Sequence, residues 1–299
     1  MLPTLRQLQY LKLLAQHGSF SRAAEAAHVT QPTLSAGVQE LERILGASMV
    51  DRNRSGVILT AAGAEAVARA GAILAQAEDL VQACRSAGQP LEGRLRLGVI
   101  PTVAPFLLPS ALPILRTRFP RLRLFLREDM TQRLIADLKS GLLDATLIAL
   151  PYDVSGLEWA HVSHDDLLAA FPSGHALCAS PTVSAGALDG ENLILLEDGH
   201  CLRDHALSAC GLGPQKSTQE EGFAATSLAT LVQMVGSGLG VTLLPAMAVQ
   251  AGLARAAQVD VRPLKPDLAS REIVVAWRAG STRATEGRLL AEVFAGRAV

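Results

Sequence analysis

The sequence is poor in cysteine, aromatic residues and net charge, and it has no long apolar run. Four cysteines in 299 residues cannot form a dense disulfide framework, and a chain of this length can bury a core without one. No uninterrupted apolar stretch approaches the ~20 residues of a membrane helix, which argues against a membrane span or a membrane partner. A net charge of −1 gives no electrostatic sign of nucleic acid, so an argument for DNA must come from motifs.

The composition that remains is typical of a helix-rich α/β protein, with 49% hydrophobic residues and only 4% aromatic ones. The first residues, LRQLQYLKLLAQHG, carry Arg6 and Lys12 within an apolar pattern, so we expect an amphipathic helix rather than a signal peptide. We therefore expect a cytoplasmic protein with reduced thiols, in which a disulfide would be catalytic or sensory rather than structural.

Three short helices are predicted near the N-terminus. The first ends at the Gly18-Ser19 break, and Ser21 is expected to cap a second helix that runs through Ala27. Thr30 is the predicted N-cap of a third helix that ends at Gly46. The apolar faces of the first and third helices comprise Leu5, Leu8, Leu11 and Ala15, and Leu34, Val38, Leu41 and Leu45. Two helices joined by a short turn can present a recognition helix to the DNA major groove.

A wing and a long helix follow. The run VDRNRSGVILT predicts a β-hairpin with Arg52 and Arg54 near its tip. An Ala-rich helix is predicted from Thr60 to about Ser86. Its heptad seam comprises Val67, Ala70, Leu74, Ala77, Val81 and Cys84. Small residues at such a seam favour pairing with a second copy of the chain, and packing against the same chain is the alternative.

The remainder predicts a separate α/β region. GQPLEG, residues 88–93, is expected to be a linker. The strand-like runs RLRLGVI, LRLFLRE, ATLIAL, DLLAAF, LILL and REIVVAW are separated by helical runs such as LLPSALPILRTRF and TQRLIADLKSG, which predicts a parallel sheet. We expect a first subdomain over 92–165, a second over 166–268, and a return to the first over 269–299.

The N-terminal motif resembles the winged helix-turn-helix of LysR-type transcriptional regulators. The residues that carry the resemblance are Phe20, Ala23, Ala24, Ala27, Val29, Gln31, Pro32, Thr33, Leu34, Ser35, Leu41, Glu42, Leu45, Gly46 and Arg52. Met49 and Val50 replace a Leu-Phe pair that is common in the family. The resemblance implies an α/β fold class with an all-α winged helix-turn-helix over 1–59 and a linker or dimerisation helix over 60–91. It further implies a two-subdomain α/β regulatory domain of the periplasmic-binding-protein type over 92–299.

The polar side of the predicted recognition helix is the expected DNA surface. Gln31 and Thr33 are expected to read bases, whereas Ser35, Arg52 and Arg54 would hold phosphates. Pro32 and Gln39 complete the predicted DNA-binding set. The alternative is that this side is only solvated. The resemblance implies promoter DNA, further copies of the chain in a tetramer and RNA polymerase as partners.

A second motif, EDGHCLRDHALSAC, runs from Glu197 to Cys210 and predicts a turn followed by a short helix that ends at Gly211. Nine residues along a helix place Cys201 and Cys210 on opposite sides and about 13 Å apart along the axis. A disulfide needs Cα atoms within about 7 Å. The cysteines are therefore either unrelated thiols or the two ends of a conformational switch.

Cys201 is expected at a helix N-terminus, which favours the reactive thiolate. Charged neighbours act in both directions: His200 and Arg203 would favour the thiolate, and Glu197, Asp198 and Asp204 would oppose it.

The same motif is similar to the redox segment of the peroxide-sensing members of the LysR family. Further similarity lies in IPTVAPFLLP (100–109), ATSLATL (225–231) and GLGVTLLPAMAV (238–249). The resemblance implies that hydrogen peroxide oxidises Cys201, that Cys210 captures it, and that 199–211 refolds. It implies reset by a thiol reductant such as a glutaredoxin or glutathione system, and no cofactor.

The resemblance also assigns neighbours to Cys201. Thr102, Thr131 and Arg271 would meet near this thiol, although either threonine could instead cap a helix. Asp204 would relay a proton or pair with Arg203. Gly222 and Ala224 stand where some relatives carry His and Arg.

Three rival interpretations remain open from the residues. A LysR-type regulator could bind a small metabolite in the cleft between its regulatory subdomains without cysteine chemistry. A metal sensor could use Cys201 and His205, which are four residues apart, but no CxxC or second ligand pair is present, and no metal site is expected. An enzyme is not expected, since the sequence has no phosphate loop or triad pattern. Cys84 and Cys178 are expected to be packing residues.

Overall fold

The computed structural model describes residues 1–53, 56–85, 90–211, 225–265 and 269–296. Arg54 of the predicted wing tip and the positions Gly222 and Ala224 lie outside these ranges, and the described side chains do not include those of Arg52 and Cys84. The chain divides into two compact units, Met1–Gly88 with Ala136–Leu143, and Gln89–Ile135 with Asp144–Val299.

The first unit contains a helix-turn-helix, a two-stranded wing and a long helix. Its elements are α1 (Leu5–His17), α2 (Phe20–Ala26), α3 (Gln31–Leu45), β1 (Val50–Asn53), β2 (Gly56–Leu59) and α4 (Ala61–Arg85). The predicted bounds of α3 are confirmed, because the Thr30 hydroxyl accepts a hydrogen bond from the Thr33 backbone N–H and Gly46 adopts the left-handed conformation. The second helix begins at Phe20 with Ser19 as N-cap, so the prediction of a cap at Ser21 was wrong.

The core of this unit lies among the three short helices. Leu11, Leu34 and Leu41 are fully buried there. Leu5 and Leu45 were expected on the apolar faces, but they are 50% and 43% exposed. Both stand at a helix end, where the neighbouring helices no longer cover the face.

The seam of α4 is divided between two environments. Ala70 belongs to the core of the first unit, and Val67 and Leu74 pack against that core. Val81 is 46% exposed, and so is the nearby Leu80 at 66%. The first half of the seam thus contacts its own chain, as the alternative expectation has it. Pairing of the helix with a second copy stays a prediction.

The second unit is built on a curled, mixed β-sheet. Its strands are β3 (Gly93–Val99), β4 (Leu122–Glu128), β5 (Ala145–Leu150), β6 (Leu157–Pro172), β7 (Val183–Ser184), β8 (Thr242–Pro245), β9 (Val259–Lys265) and β10 (Ser270–Arg278). Its helices are α5 (Ala104–Arg118), the first part of α6 (Thr131–Lys139), α7 (Cys201–Ala209), α8 (Leu228–Gly236), α9 (Ala246–Gln250), α10 (Leu253–Ala256) and α11 (Ala284–Ala295). The rest of α6, from Ala136, is assigned to the first unit. The strand order is β4-β3-β5-β10-β6-β9-β7, and β8 pairs with β6.

The sheet is only partly parallel, which corrects the expectation of a parallel sheet. β3 pairs in parallel with β4 and with β5, as alternating strands and helices predict. The returning strand β10 instead inserts between β5 and β6 and is antiparallel to both. The long strand β6 then continues to antiparallel partners β8 and β9.

One other local prediction, a strand at LILL, was wrong. LILL, residues 193–196, forms only isolated bridges, Leu193 with Val241 and Leu196 with Ala225, rather than a strand. In the predicted linker, Leu91 is 1% exposed and its backbone N–H donates to the Glu286 carboxylate at 3.2 Å. This part of GQPLEG is therefore fixed to the second unit.

None of the described helices is long and apolar enough to cross a membrane.

Candidate functional site

The predicted DNA surface lies along α3. Gln31, Pro32, Thr33 and Gln39 are exposed and Ser35 is half-buried. The hydroxyl groups of Thr33 and Thr30 are hydrogen-bonded at 2.8 Å, so the Thr33 side chain also takes part in the helix cap. Arg52 lies on β1 of the wing.

Glu42 of α3 positions the wing. Its carboxylate accepts hydrogen bonds from the backbone N–H groups of Met49, at 2.8 Å, and Val50, at 3.4 Å. The Ser48 hydroxyl donates to the same carboxylate oxygen at 3.3 Å. The Glu42 carboxylate thus links helix α3 to the start of the first wing strand. The sequence resemblance marked Glu42, but it did not indicate this contact.

The cysteine segment forms the predicted turn and helix. Gly199 has φ +98°, and an added Cβ there would lie 2.6 Å from the Met130 sulfur, so this position needs glycine for both reasons. Cys201 is the first residue of α7, and Cys210 is its C-cap. Both cysteines are free thiols, 4% and 6% exposed. Nine residues at 1.5 Å each place them about 13.5 Å apart along the axis.

A closed pocket surrounds the start of α7. Its walls are Ile100, Pro101, Thr102, Met130, Thr131, His200 and Cys201, and it cannot hold a water-sized molecule as it stands. The Thr131 hydroxyl is buried and has no hydrogen-bond partner, so it caps no helix and remains free to bond a ligand. The structure therefore brings together four of the predicted site residues.

Arg271 does not line this pocket, but it fixes one of its walls. Its Nη1 donates to the Thr102 hydroxyl at 2.7 Å, and its Nη2 donates to the Thr102 carbonyl at 3.0 Å. The guanidinium also pairs with Asp165 at 2.8 Å, and both side chains are buried. Because the Thr102 oxygen already accepts from Arg271, its own hydrogen is available for a different acceptor.

Asp165 is a residue that sequence reasoning missed. Its second carboxylate oxygen accepts from the Met247 backbone N–H at 3.0 Å, so it links the arginine to the start of α9. No local motif marks Asp165, since it alternates with exposed residues on β6 and pairs with Arg271 only across the sheet.

The two histidines of the segment are held neutral by burial. Burial lowers the pKa of His200, although the nearby Glu197 acts in the opposite direction. His200 would therefore offer the pocket a neutral imidazole rather than the positive charge that the sequence suggested. Burial also lowers the pKa of His205. Its Nε2 donates to the Pro151 carbonyl at 3.2 Å, so that nitrogen is engaged by the backbone.

Arg203 faces the turn that precedes α7. Its Nε pairs with Asp198 at 2.9 Å, and its Nη1 donates to the Leu196 carbonyl at 3.2 Å. The expected alternative that Asp204 holds Arg203 was therefore wrong. Asp204 is exposed on α7.

Cys210 lies in an environment that keeps it protonated. Burial, with a smaller contribution from Asp189, raises the pKa of its thiol to about 11. Tyr152 is a further neighbour of the segment that the sequence did not indicate. Burial raises the pKa of its phenol, and the nearby Cys201 and Asp204 act in the same direction.

A larger cavity of about 470 Å³ adjoins the other end of α7. Its walls include His205, Ser208, Cys210, Lys265 and Ser270. A cavity of this size can hold a small organic molecule. Within the described residues, no group of three or more His, Cys, Asp or Glu side chains is placed to hold a metal ion.

A winged helix-turn-helix followed by an α/β unit is the architecture of a DNA-binding transcriptional regulator with a sensory domain. Residues 5–64 match the family described as bacterial regulatory helix-turn-helix protein, lysR family, and residues 88–298 match the LysR substrate binding domain. The chain therefore belongs to the LysR family of transcriptional regulators.

Individual members of the family are similar to this chain over most of its length. The chain is 38% identical to the DNA-binding transcriptional dual regulator OxyR of Escherichia coli K12, over 98% of this chain and 95% of that protein. It is 44% identical to the HTH-type transcriptional regulator EstR of Acinetobacter baylyi, over 83% and 81%. Among solved structures, a full-length OxyR variant from Pseudomonas aeruginosa superposes with a TM-score of 0.82 and 34% identity, over 98% and 95%. The chain is thus an OxyR-like member of the family.

Proposed function

We propose that this regulator senses hydrogen peroxide through Cys201 and signals through a reversible disulfide with Cys210. The observation that carries the proposal is the closed pocket, where a thiol at a helix N-terminus lies with the hydroxyls of Thr102 and Thr131. Several OxyR relatives are named hydrogen peroxide-inducible genes activators, and one solved relative, a Corynebacterium glutamicum OxyR mutant, is described as hydrogen peroxide-bound.

The first chemical step is oxidation of the thiolate. The Cys201 sulfur attacks one peroxide oxygen, the S–O bond forms as the O–O bond breaks, and hydroxide leaves and takes a proton. The product is a sulfenic acid and water. The Thr102 hydrogen and the unpartnered Thr131 hydroxyl can donate hydrogen bonds to the departing oxygen, and neutral His200 lines the same pocket.

The second step joins the two cysteines. The Cys210 sulfur attacks the sulfenic sulfur of Cys201, the S–S bond forms, and hydroxide leaves and combines with the proton of the Cys210 thiol to give water. The high pKa of Cys210 means that this thiol must lose its proton during the attack or after it leaves its buried position.

The disulfide requires α7 to unwind, since about 13.5 Å along the axis separates residues that must come within about 7 Å. Closing a loop of about ten residues contributes roughly 2.7 kcal/mol. Leu202 and Leu207 of α7 are 2% and 4% exposed, and exposing each costs about 1.5–3 kcal/mol. Exposing both leucines costs about 3–6 kcal/mol, more than the loop closure contributes, so a thiol reductant can reset the switch.

Each domain expected from the sequence has one role in the proposed response. Residues 1–59 bind promoter DNA, 60–91 join copies of the chain into a tetramer, and 92–299 sense the oxidant. Within the last part, subdomain I comprises 92–165 and 269–299, and subdomain II comprises 166–268. The DNA is contacted by Gln31, Thr33 and Gln39 of α3 and by Arg52 and Arg54 of the wing.

The test treats the reduced full-length protein with sub-stoichiometric hydrogen peroxide and maps its disulfides by mass spectrometry. DNA binding is measured with fragments that the protein selects from a random pool. We expect a Cys201–Cys210 bond and an altered DNA affinity. Cys178→Ser is the matched control, because Cys178 is a half-buried thiol outside the pocket. Absence of the bond, or an oxidation response that persists in Cys201→Ser, refutes the proposal.

A second candidate function is small-molecule sensing, which the cavity of about 470 Å³ favours. The name of the EstR relative does not refer to peroxide. This candidate predicts that a metabolite raises the thermal midpoint of a variant with Cys201 and Cys210 both replaced by Ser, whereas the peroxide proposal predicts that this variant no longer responds to its signal.

A further inference from the structure

The pocket beside Cys201 is closed, so an oxidant can reach the thiol only if one wall moves. We propose that Met130 is this movable wall and that its side chain determines which hydroperoxides reach Cys201. The inference rests on the proposed peroxide chemistry and adds a determinant of substrate size.

The walls differ in burial and in stiffness. Thr102, Thr131 and Cys201 are almost completely buried, whereas Pro101 and Met130 are half-buried and form the solvent side of the pocket. Pro101 has a rigid ring. Met130 has an unbranched thioether side chain with several rotatable bonds, so it is the wall that can change conformation at low cost.

The backbone of Met130 is fixed at both of its polar groups. Its N–H donates to the Asp129 carboxylate at 2.9 Å, and its carbonyl accepts from the Leu134 N–H at 3.0 Å as α6 begins. Asp129 is itself paired with Arg127 at 2.9 Å and Arg133 at 3.5 Å. Only the side chain of Met130 can therefore move. Its sulfur lies next to Gly199, on the side where any other residue would carry a Cβ.

Size selection follows from this geometry. Hydrogen peroxide is little larger than water and needs a small displacement of the thioether, whereas an arylalkyl hydroperoxide must also find room for its carbon group between fixed walls. The chemistry is otherwise the same, because the sulfur takes one oxygen, the O–O bond breaks, and the alkoxide leaves and is protonated. A misfit of one methylene in an apolar pocket changes rates about 10–200-fold.

The test measures the rate of Cys201 oxidation in the full-length reduced protein with hydrogen peroxide and with cumene hydroperoxide. Met130→Ala removes the thioether, and we expect the cumene-to-hydrogen-peroxide rate ratio to rise by about tenfold or more. Met130→Ile keeps bulk but stiffens the wall, and we expect both rates to fall. Met234→Ala is the matched control, since Met234 is a half-buried methionine on α8 outside the pocket, and its ratio should equal that of the wild type.

The outcomes separate the two proposals. If hydrogen peroxide oxidises Cys201 but Met130→Ala leaves the rate ratio unchanged, or raises both rates equally, Met130 is not the selective wall. If wild-type Cys201 reacts with neither oxidant at low concentration, the proposed function itself fails. A thermal midpoint for each variant identifies a general loosening of the fold, which would raise both rates together.

Discussion

Replacing Asp165 by Asn should reveal how much the pocket depends on a buried ion pair. Asp165 and Arg271 are 2% and 0% exposed, and they are joined at 2.8 and 2.9 Å. Asp165→Asn keeps the shape of the side chain but removes the charge that compensates the arginine. Arg271 would then be a buried cation whose remaining bonds go to neutral oxygens of Thr102.

The expected cost is large because the remaining charge stays buried. Breaking one partner of a buried pair costs about 3–5 kcal/mol. For a domain of 150–250 residues, each kcal/mol lowers the thermal midpoint by about 2–4 °C. We therefore expect the midpoint of the sensory domain to fall by roughly 6–20 °C. Oxidation of Cys201 should also slow, because Arg271 would no longer be fixed by Asp165 and would orient the Thr102 hydroxyl less firmly.

The assay is thermal unfolding of the full-length protein, with peroxide consumption measured below the transition. Asp166→Asn is the matched control, because Asp166 is the adjacent residue on the same strand and is exposed, so its effect should stay within about 0.5 kcal/mol. The double variant Asp165→Leu with Arg271→Met should recover stability without recovering the oxidation rate. The reasoning is wrong if Asp165→Asn and Asp166→Asn shift the midpoint equally.

Three further predictions concern separate parts of the molecule. Thr131→Val should leave the free energy of unfolding unchanged or raise it by about 1–3 kcal/mol, because it removes a buried hydroxyl without a partner. The same variant should slow the oxidation of Cys201 by peroxide. Denaturant unfolding measures the first effect and stopped-flow kinetics measures the second. Glu42→Ala should destabilise the DNA-binding unit by about 1–3 kcal/mol and weaken DNA affinity in gel shifts, because the N–H of Met49 loses a charged acceptor. For Cys210, whose pKa is raised to about 11, the unfolded thiol ionises first as pH rises. The free energy of unfolding should therefore fall as pH rises through about 9 towards 11. Urea unfolding at several pH values measures this fall in the wild type and in Cys210→Ser. The prediction is wrong if the unfolding free energies of the two proteins depend on pH in the same way.

The elements predicted with most success are those whose signals are local. Thr30 and Gly46 mark the ends of α3 by their own hydrogen-bonding and conformational preferences, and the structure confirms both. The turn at Gly199 and helix α7 follow from the same kind of signal. The prediction failed for LILL, because an apolar run of four residues can be buried without pairing along its length.

Contacts between residues that are far apart in the chain could not be predicted from local sequence patterns. The insertion of β10 between β5 and β6 depends on where the chain returns, and periodicity does not specify strand order. The partner of Arg203 could be any of three nearby carboxylates, those of Glu197, Asp198 and Asp204, and only the path of the turn selects Asp198. Met130 and Tyr152 carry no motif, so their place beside Cys201 could not be inferred.

The sequence by itself determined the helix-turn-helix and the pair of cysteines at opposite ends of a short helix, because capping, periodicity and spacing act over a few residues. The resemblance of its motifs indicated the family. Tertiary structure decided what surrounds those cysteines. It closed a pocket over Cys201 and fixed Thr102 through Arg271 and Asp165. It also buried Cys210, which keeps that thiol protonated. The physical reason is that desolvation and ion pairing depend on groups that meet only when strands far apart in the chain become neighbours in the sheet.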